Sequence, residues 1–232
     1  MANWENIPLQ AQLQNKFAVP VVIDNDANMG ALAEYKFGAG RGCDSLLYVT
    51  VSTGIGSGWI INGKPYNGFN GMAGEIGHIV VNPRGMPCAC GKQGCLEAEA
   101  CGPAIAKLAK LAIEMNPTEG RELLNCVNQS VQRLTAKHVN EAANMYDPLA
   151  NAVLNGAGHF LGKGLAVALN LMNPQRIILG GGVAKSGDAW WQSVRETARE
   201  FTIPEIPVDI VPTELGDDAP LWGAIALAKL HL

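Results

Sequence analysis

Three cysteines and one histidine have the spacing of a metal site. Cys88, Cys90 and Cys95 lie in a short glycine-containing segment, and His78 precedes them at the end of an apolar stretch. Three thiolate sulfurs and one imidazole nitrogen form the closed tetrahedral ligand set of a structural zinc site. The pattern predicts zinc bound by His78, Cys88, Cys90 and Cys95, and three unrelated loop cysteines are the alternative.

The remaining cysteines lack this spacing and are predicted to be small buried residues: Cys43, Cys101 and Cys126. Met1 is followed by neither the basic start nor the apolar core of a signal peptide, and no apolar stretch is long enough to cross a membrane. These features predict a cytoplasmic location, where a reducing environment disfavours disulfides.

Acidic and amide side chains cluster where a predicted strand meets a predicted helix. The apolar residues 19–23 are predicted to form a strand, and residues 27–37 a helix. Asp24, Asn25 and Asp26 stand between them, and their side chains suit the capping of the helix N-terminus. Two carboxylates are therefore expected at this junction.

The rest of the chain alternates between strand and helix patterns. A glycine-rich turn separates predicted strands at 46–51 and 59–61, and Asn62-Gly63 predicts a hairpin turn. Helical periodicity dominates residues 102–172, where Asp147-Pro148 begins the last helix. Further strands are predicted at 76–81, 176–179 and 208–211, and further helices at 190–201 and 221–230. The order predicts a mixed α/β fold.

Composition and charge restrict the classes of partner. Hydrophobic residues make up 48% of the 232 residues and charged residues 16%, which is typical of a compact folded protein. The net charge is −4 and no run of like charges occurs, so the chain is not expected to bind nucleic acid or an anionic membrane.

Several short motifs together resemble one family. They are Asn25-Asp-Ala-Asn28, Ser52-Thr-Gly-Ile-Gly-Ser-Gly58, Gly74-Glu-Ile-Gly-His78, Cys88-x-Cys-Gly-x-x-Gly-Cys-x-Glu97 and Leu179-Gly-Gly-Gly182. In this order they resemble the ROK family of bacterial sugar kinases and sugar-responsive repressors, from about Trp4 to the end of the chain. The histidine motif combined with the cysteine motif is the most specific part of the resemblance.

The resemblance implies an actin-like, ribonuclease H-like fold and an activity. Members of the family transfer a phosphoryl group from ATP with Mg²⁺ to a hexose hydroxyl, in a cleft between two lobes. The implied division is a remnant of the small lobe at 1–37 and a large lobe at 38–217 that contains the zinc loop 78–97. The last helix, 218–232, would return toward the small lobe. A homodimer or tetramer is also implied.

The resemblance also implies roles for individual residues. Asp26 would be the catalytic base that takes the proton from the sugar hydroxyl. The sugar-binding set would comprise Asn25, Asp26, Glu75, His78 and Glu97. The nucleotide-binding set would comprise Thr53, Gly54, Gly180, Gly181 and Gly182. Ser57 stands where many members have glycine, and this departure concerns the contacts of that strand with ATP.

The start of the chain departs from the family pattern. Full-length kinases of the family begin with a strand and an Asp-x-Gly-Gly-Thr phosphate loop, and no such segment occurs before Trp4. The chain is therefore expected to be the C-terminal part of a hexose kinase, to bind zinc and to turn over sugar poorly by itself. One alternative is the sugar-sensing domain of a ROK repressor, and another is a zinc-stabilised scaffold without a ligand.

Overall fold

The structure, a computed structural model, describes residues 7–116 and 118–230. The strands are β1 (Leu46–Val51), β2 (Ile55–Ile61), β3 (Lys64–Tyr66), β4 (Arg176–Gly180) and β5 (Ile210–Pro212). The helices of the described residues are α1 (Leu9–Phe17), α2 (Asp26–Phe37), α3 (Leu96–Ala100), α4 (Gly102–Met115), α5 (Arg121–Cys126), α6 (Ala136–Asn144), α7 (Pro148–Met172), α8 (Asp188–Phe201) and α9 (Ala219–Leu230).

The strands form one mixed sheet in the order β3-β2-β1-β4-β5. β1 pairs antiparallel with β2 and parallel with β4, and Thr50 lies opposite Gly180 in the register. Parallel neighbours end at the same edge of a sheet, so the turn after β1 and the loop after β4 lie side by side. The two glycine-rich segments identified in the sequence are brought together in this way.

Helices cover both faces of the sheet. Leu47 and Val49 of β1 point into a large cluster that is completed by α3, α4, α7 and α8. Leu46 and Tyr48 point to the opposite face and pack against Ala31 of α2. This alternation along β1 buries successive side chains against different helices, as expected of a central strand covered on both faces.

Glycines allow α2 to approach its neighbours closely. A methyl group added at Gly58 of β2 would lie 2.6 Å from the carbonyl oxygen of Ala27 and 2.8 Å from the Cα atom of Asn28. On the other side of α2, Gly223 of α9 contacts the backbone of Met29. The N-terminus of α2 is therefore held between β2 and α9.

Two predicted strands are wrong. Residues 76–78 form a single turn of 3₁₀ helix. In the part of the chain that the structure describes, the segment 76–81 makes one isolated β-bridge, between Val80 and Cys95. Gly74 has a φ of +90° and Gly77 packs against the carbonyl group of Ile55, so the chain turns sharply where a strand would run straight.

Residues 19–23 pair with no strand among the described residues, and Val19, Val22 and Ile23 are exposed. A strand needs a neighbour to satisfy its backbone, which a short apolar run in the sequence does not reveal. The helix α1 before this segment was not predicted, and none of its residues is buried.

The other predicted elements agree with the structure to within a few residues. The hairpin turn has φ values of 51° at Asn62 and 72° at Gly63, as a type I′ turn requires. α7 begins at Pro148 after the Asp147 N-cap and ends before Asn173. No helix in the described ranges is long and apolar enough to span a membrane.

Candidate active site

The predicted metal ligands converge. The ligand atoms of His78, Cys88, Cys90 and Cys95 all lie within 4.8 Å of one another. The Nδ1 atom of His78 is 3.6 Å from the sulfur of Cys88, and the sulfurs of Cys90 and Cys95 are also 3.6 Å apart. Separations of this size suit ligands that surround one tetrahedral ion at bonds of about 2.0–2.3 Å. The donor set therefore fits zinc.

Two of the clustered cysteines have thiols with shifted pKa values. Burial raises the pKa of the Cys95 thiol to about 12, so this thiol stays neutral unless a positive charge compensates the thiolate. A backbone hydrogen bond from Lys92 lowers the pKa of the exposed Cys90 thiol. Bound zinc requires thiolates and would supply the missing charge.

His78 has its second ring nitrogen outside the cluster. Its Nδ1 atom faces the sulfurs, whereas its Nε2 atom lies 4.0 Å from a carboxylate oxygen of Glu75. A histidine bound to a metal through one nitrogen presents the other N–H in a fixed direction. His78 and the exposed Glu75 can therefore present a donor and an acceptor side by side.

Strand β2 contacts three segments that carry predicted site residues. Ile55 N–H donates to Glu97 Oε2 at 2.9 Å, and the Ser57 hydroxyl donates to the Gly74 carbonyl at 2.5 Å. Gly58 lies against the first turn of α2, immediately after Asp26. Four consecutive residues of one strand thus align the start of α2, the segment 74–78 and the start of α3.

Ser57 has a structural role in this strand. The side chain is buried, and its hydroxyl holds the carbonyl group of Gly74, next to Glu75. A buried hydroxyl must find a partner, and this one fastens the segment before the 3₁₀ turn to β2.

The acidic junction is arranged as a helix N-terminus. Asn25 is the N-cap of α2, and its side-chain oxygen accepts from Ala27 N–H at 2.8 Å. Asp24 accepts from the Asn28 side chain at 2.8 Å and from the backbone N–H of Asn25 at 2.7 Å. Asp26 is exposed, and its carboxylate contacts only the N–H of Ala27 among the described hydrogen bonds. Asp24 is therefore occupied with local structure, whereas one Asp26 oxygen is available.

Glu97 holds the glycine turn that follows β1. Besides the bond from Ile55, the same oxygen lies 2.5 Å from where a methyl group on Gly54 would be. The turn is also fixed from α4, since Gly102 N–H donates to the Ser52 carbonyl at 2.8 Å. A side chain at position 54 would therefore displace this carboxylate. The second oxygen of Glu97 accepts no hydrogen bond from the residues that the structure describes.

A large cavity of about 920 Å³ opens beside this turn. Ser52 and Thr53 form one part of its wall, and Gly182 with Val183 forms another. Gly180 and Gly181 do not line it, because they face Tyr48 and the Val51 carbonyl respectively. The volume is in the range of pockets that hold small ligands and cofactors.

Much of the cavity wall was not predicted from the sequence. It comes from α4, from the segment around the start of α6 and from the turn after β4; the residues include Pro103, Lys107, Leu134, Thr135, Asn140 and Lys185. Thr135 three residues before His138 forms a capping box that marks the start of α6. That signal locates the helix but does not reveal that its N-terminal end faces the loop after β4.

Comparison with known proteins gives the family. The model of the ROK family matches residues 1–231. A glucokinase of Halalkalibacterium halodurans is 38% identical over 229 residues, which are 97% of this chain and 68% of that protein. The chain belongs to the ROK family. The xylose repressor of Bacillus subtilis, also similar, is 34% identical over 99% of the chain and 56% of its own length.

Solved structures of ROK proteins share the fold. A Streptomyces griseus ROK glucokinase, solved with glucose and AMPPNP, has a TM-score of 0.89 and 38% identity, covering 98% of this chain and 74% of that one. A ROK transcriptional regulator homologous to the E. coli MLC protein has a TM-score of 0.85 and 29% identity over 95% of this chain and 55% of that one. The ROK fold is therefore shared by kinases and regulators among the relatives.

Proposed function

We propose that this ROK chain belongs to an ATP-dependent hexose kinase, with glucose as the first candidate substrate. The observation that carries the proposal is the convergence on β2, where the start of α2, the segment 74–78 and Glu97 meet within four residues. The 38% identity to glucokinases supports the choice of reaction.

Asp26 is the proposed catalytic base. It is exposed at the N-terminus of α2, and Asp24 and Asn25 already satisfy the neighbouring helix-start groups. Phosphoryl transfer needs positioning and charge stabilisation more than covalent chemistry, and one carboxylate suffices to accept the proton of the attacking hydroxyl. Asp26 has the exposure and the anchored backbone that this role requires.

The proposed sugar site combines groups of both hydrogen-bonding types. Glu75 and the free oxygen of Glu97 offer acceptors, and His78 Nε2 offers a donor when Nδ1 holds the metal. The Asn25 side-chain amide keeps its NH₂ group for a hydroxyl, since its oxygen caps α2. A ring of fixed donors and acceptors rejects analogues that lack the matching hydroxyl.

The proposed nucleotide site is the large cavity. Thr53 lines this cavity and Gly182 leaves room on the opposite wall, whereas Gly54 is not among the lining residues. A turn with bare backbone N–H groups at Thr53 would suit phosphate oxygens. Gly180 and Gly181 support this wall by close packing behind it. Mg²⁺ bound to ATP would neutralise phosphate charge during transfer.

Zinc is proposed as the structural metal of the site. His78, Cys88, Cys90 and Cys95 would hold it, and the ion would fix the loop that positions His78 and leads into Glu97. The residues of the chain, and not the ion, would contact the sugar.

A second candidate is the sugar-sensing domain of a ROK repressor. It is favoured by the 34% identity to the xylose repressor of Bacillus subtilis, which extends over 99% of the chain. A sensor needs to bind sugar but has no need to orient a nucleotide beside a carboxylate base.

Calorimetric titration of the zinc-loaded chain distinguishes the two. The kinase proposal predicts saturable binding of glucose and, separately, of AMPPNP. Xylose binding without any nucleotide binding would instead favour the sensor, and absence of all sugar binding would contradict both. Size-exclusion chromatography with light scattering would test the predicted homodimer or tetramer.

A further inference from the structure

Glu34 is a buried glutamate outside the predicted site. It lies in α2, two turns after Asp26, and its exposed fraction is 0%. Glutamate is almost never fully buried unless its carboxylate is paired or hydrogen-bonded. The partners of Glu34 therefore indicate what the side chain holds.

The carboxylate of Glu34 accepts hydrogen bonds from two distant segments. Ala39 N–H donates to it at 2.8 Å from the turn that ends α2. Three further donors come from the segment after β5, about 180 residues later: the Thr213 hydroxyl, Glu214 N–H at 3.3 Å and Leu215 N–H at 3.0 Å. Glu34 thus fastens residues 213–215 to the helix that carries Asp26.

The same segment is attached to the loop after β4. Thr213 N–H donates to the Leu179 carbonyl at 2.9 Å, one residue before the Gly180–Gly182 loop. Asp217 forms an ion pair of 2.7 Å with Lys185, which lines the large cavity. Residues 213–217 are therefore attached to the chain immediately before Gly180 and, through Lys185, to the wall of the large cavity.

Tyr48 makes a parallel connection through the sheet. A methyl group on Gly30 of α2 would lie 2.8 Å from its Cδ1 atom, and one on Gly180 would lie 3.0 Å from its Cζ atom. The Tyr48 ring packs between α2 and the start of the loop after β4. The helix and this loop are therefore connected twice, through Glu34 and through Tyr48.

We propose that Glu34 is a positioning residue that sets the loop 180–185 relative to α2, and hence the nucleotide wall relative to Asp26. The inference rests on the proposed function for its catalytic meaning, but the mechanical link is a property of the ligand-free chain. A glutamine at this position keeps the shape of the side chain and one acceptor oxygen, but its NH₂ group faces N–H donors in place of the other oxygen, so the connection is weakened.

Hydrogen exchange of the ligand-free protein tests the link. Glu34→Gln is expected to speed amide exchange about tenfold or more in residues 213–216 and also in residues 178–186. Exchange in the metal loop, residues 79–96, is expected to stay unchanged. An increase confined to 213–216, or one spread evenly over the chain, would show a local or general structural role and would overturn the proposal.

Glu99→Gln is the matched control. Glu99 is also a buried glutamate, but it accepts from Met86 N–H at 2.5 Å and from the Asn82 side chain at 3.1 Å, both in the metal loop. The Glu99→Gln variant is expected to give the opposite pattern. Amide exchange should be faster in residues 79–96 and unchanged in residues 178–186. The same pattern from both variants would contradict a specific role of Glu34.

Thr213→Val provides a milder variant in case Glu34→Gln does not fold. It removes one donor to Glu34 and is expected to speed amide exchange in residues 178–186 by a smaller factor. Thr213→Ser keeps the hydroxyl donor and is expected to exchange like the unaltered chain. Unchanged exchange in 178–186 with Thr213→Val would count against the proposal.

Nucleotide affinity connects the link to function. AMPPNP binding is expected to weaken about tenfold in Glu34→Gln while glucose binding changes little. Failure of the unaltered chain to bind AMPPNP would contradict the proposed function, whereas equal affinity of the variant would contradict the positioning role. The two failures are thus distinguishable.

Discussion

The proposed role of a side chain in this protein depends on which of its hydrogen-bonding groups are not engaged by neighbouring residues. The two carboxylates Asp24 and Asp26 look equivalent in the sequence, but Asp24 accepts a hydrogen bond from the Asn28 side chain. The Asp26 carboxylate is exposed and shares no hydrogen bond with another side chain in the described residues. The contacts therefore favour Asp26, the residue that the resemblance also implies as the base.

Tyr48 makes a prediction about alkaline stability. Burial, and then the nearby Glu34, raises its pKa from 10.0 to about 12, so the folded state keeps a proton that the unfolded chain releases above pH 10. Its contribution is therefore fully present below pH 10 and is lost as the pH rises through about 12, at up to about 1.4 kcal/mol per pH unit.

Tyr48→Phe removes this titration. Urea unfolding at pH 9 and pH 11 should show a smaller loss of unfolding free energy for the variant than for the unaltered chain. Equal losses in the two proteins would contradict the raised pKa.

The secondary-structure elements act by fixing distances between loops. Gly58 allows the first turn of α2 to rest on β2. Gly58→Ala is expected to destabilise the protein by roughly 1–3 kcal/mol and to displace the start of α2, because the added methyl group would overlap the Ala27 carbonyl. Chemical denaturation measures the first effect and glucose titration the second.

Gly156→Ala is the control for that change. Gly156 lies within α7, and a methyl group there would meet no heavy atom within 4 Å among the described residues, apart from its own turn of helix. It should stabilise the protein by about 0.5–1 kcal/mol, because glycine is unfavourable inside a helix. Destabilisation by Gly156→Ala similar to that of Gly58→Ala would argue against the close-packing explanation.

The metal loop is predicted to fold with its ion. Cys90→Ser should abolish stoichiometric zinc binding, lower the melting temperature by roughly 5–10 °C and weaken glucose binding, since metal binding and loop folding are coupled. Cys43→Ser removes a thiol far from the cluster in sequence and should change none of the three. Full zinc retention by Cys90→Ser, measured by metal analysis, would show that the ligand set is wrongly assigned.

Sequence patterns predicted what is local and missed what depends on tertiary neighbours. The cluster of His78 with the cysteines was confirmed as a spatial group because ligand spacing is a short-range property. The predicted strand at 76–81 failed because Gly74 and Gly77 bend the chain against β2. The role of Glu34 had no local signal, since most of its partners lie about 180 residues away.

At the scale of the whole molecule, the sheet order determines where the site lies. The parallel pair β1 and β4 brings the turn at Thr53 and the loop at Gly182 to one edge, and β2 brings Glu97 and α2 to the same region. The chain aligns with 68% to 74% of the length of the glucokinases described above. The activity of the chain should therefore be tested in two forms. One is the chain alone, and the other is the chain joined to the portion of such a glucokinase that lies outside the alignment.

The most direct test of the proposed kinase function is glucose-dependent phosphoryl transfer from ATP. It should be measured with the chain alone and with a chimera carrying the portion of the Streptomyces griseus glucokinase outside the alignment. We predict transfer in the chimera and a loss of about 100-fold or more in its Asp26→Asn variant, with glucose affinity changed only slightly. Asp218 is an exposed aspartate in the 3₁₀ turn immediately before α9, and the Asp218→Asn variant should be fully active. Equal transfer by Asp26→Asn, or no transfer by a folded chimera that binds glucose and AMPPNP, would contradict the account.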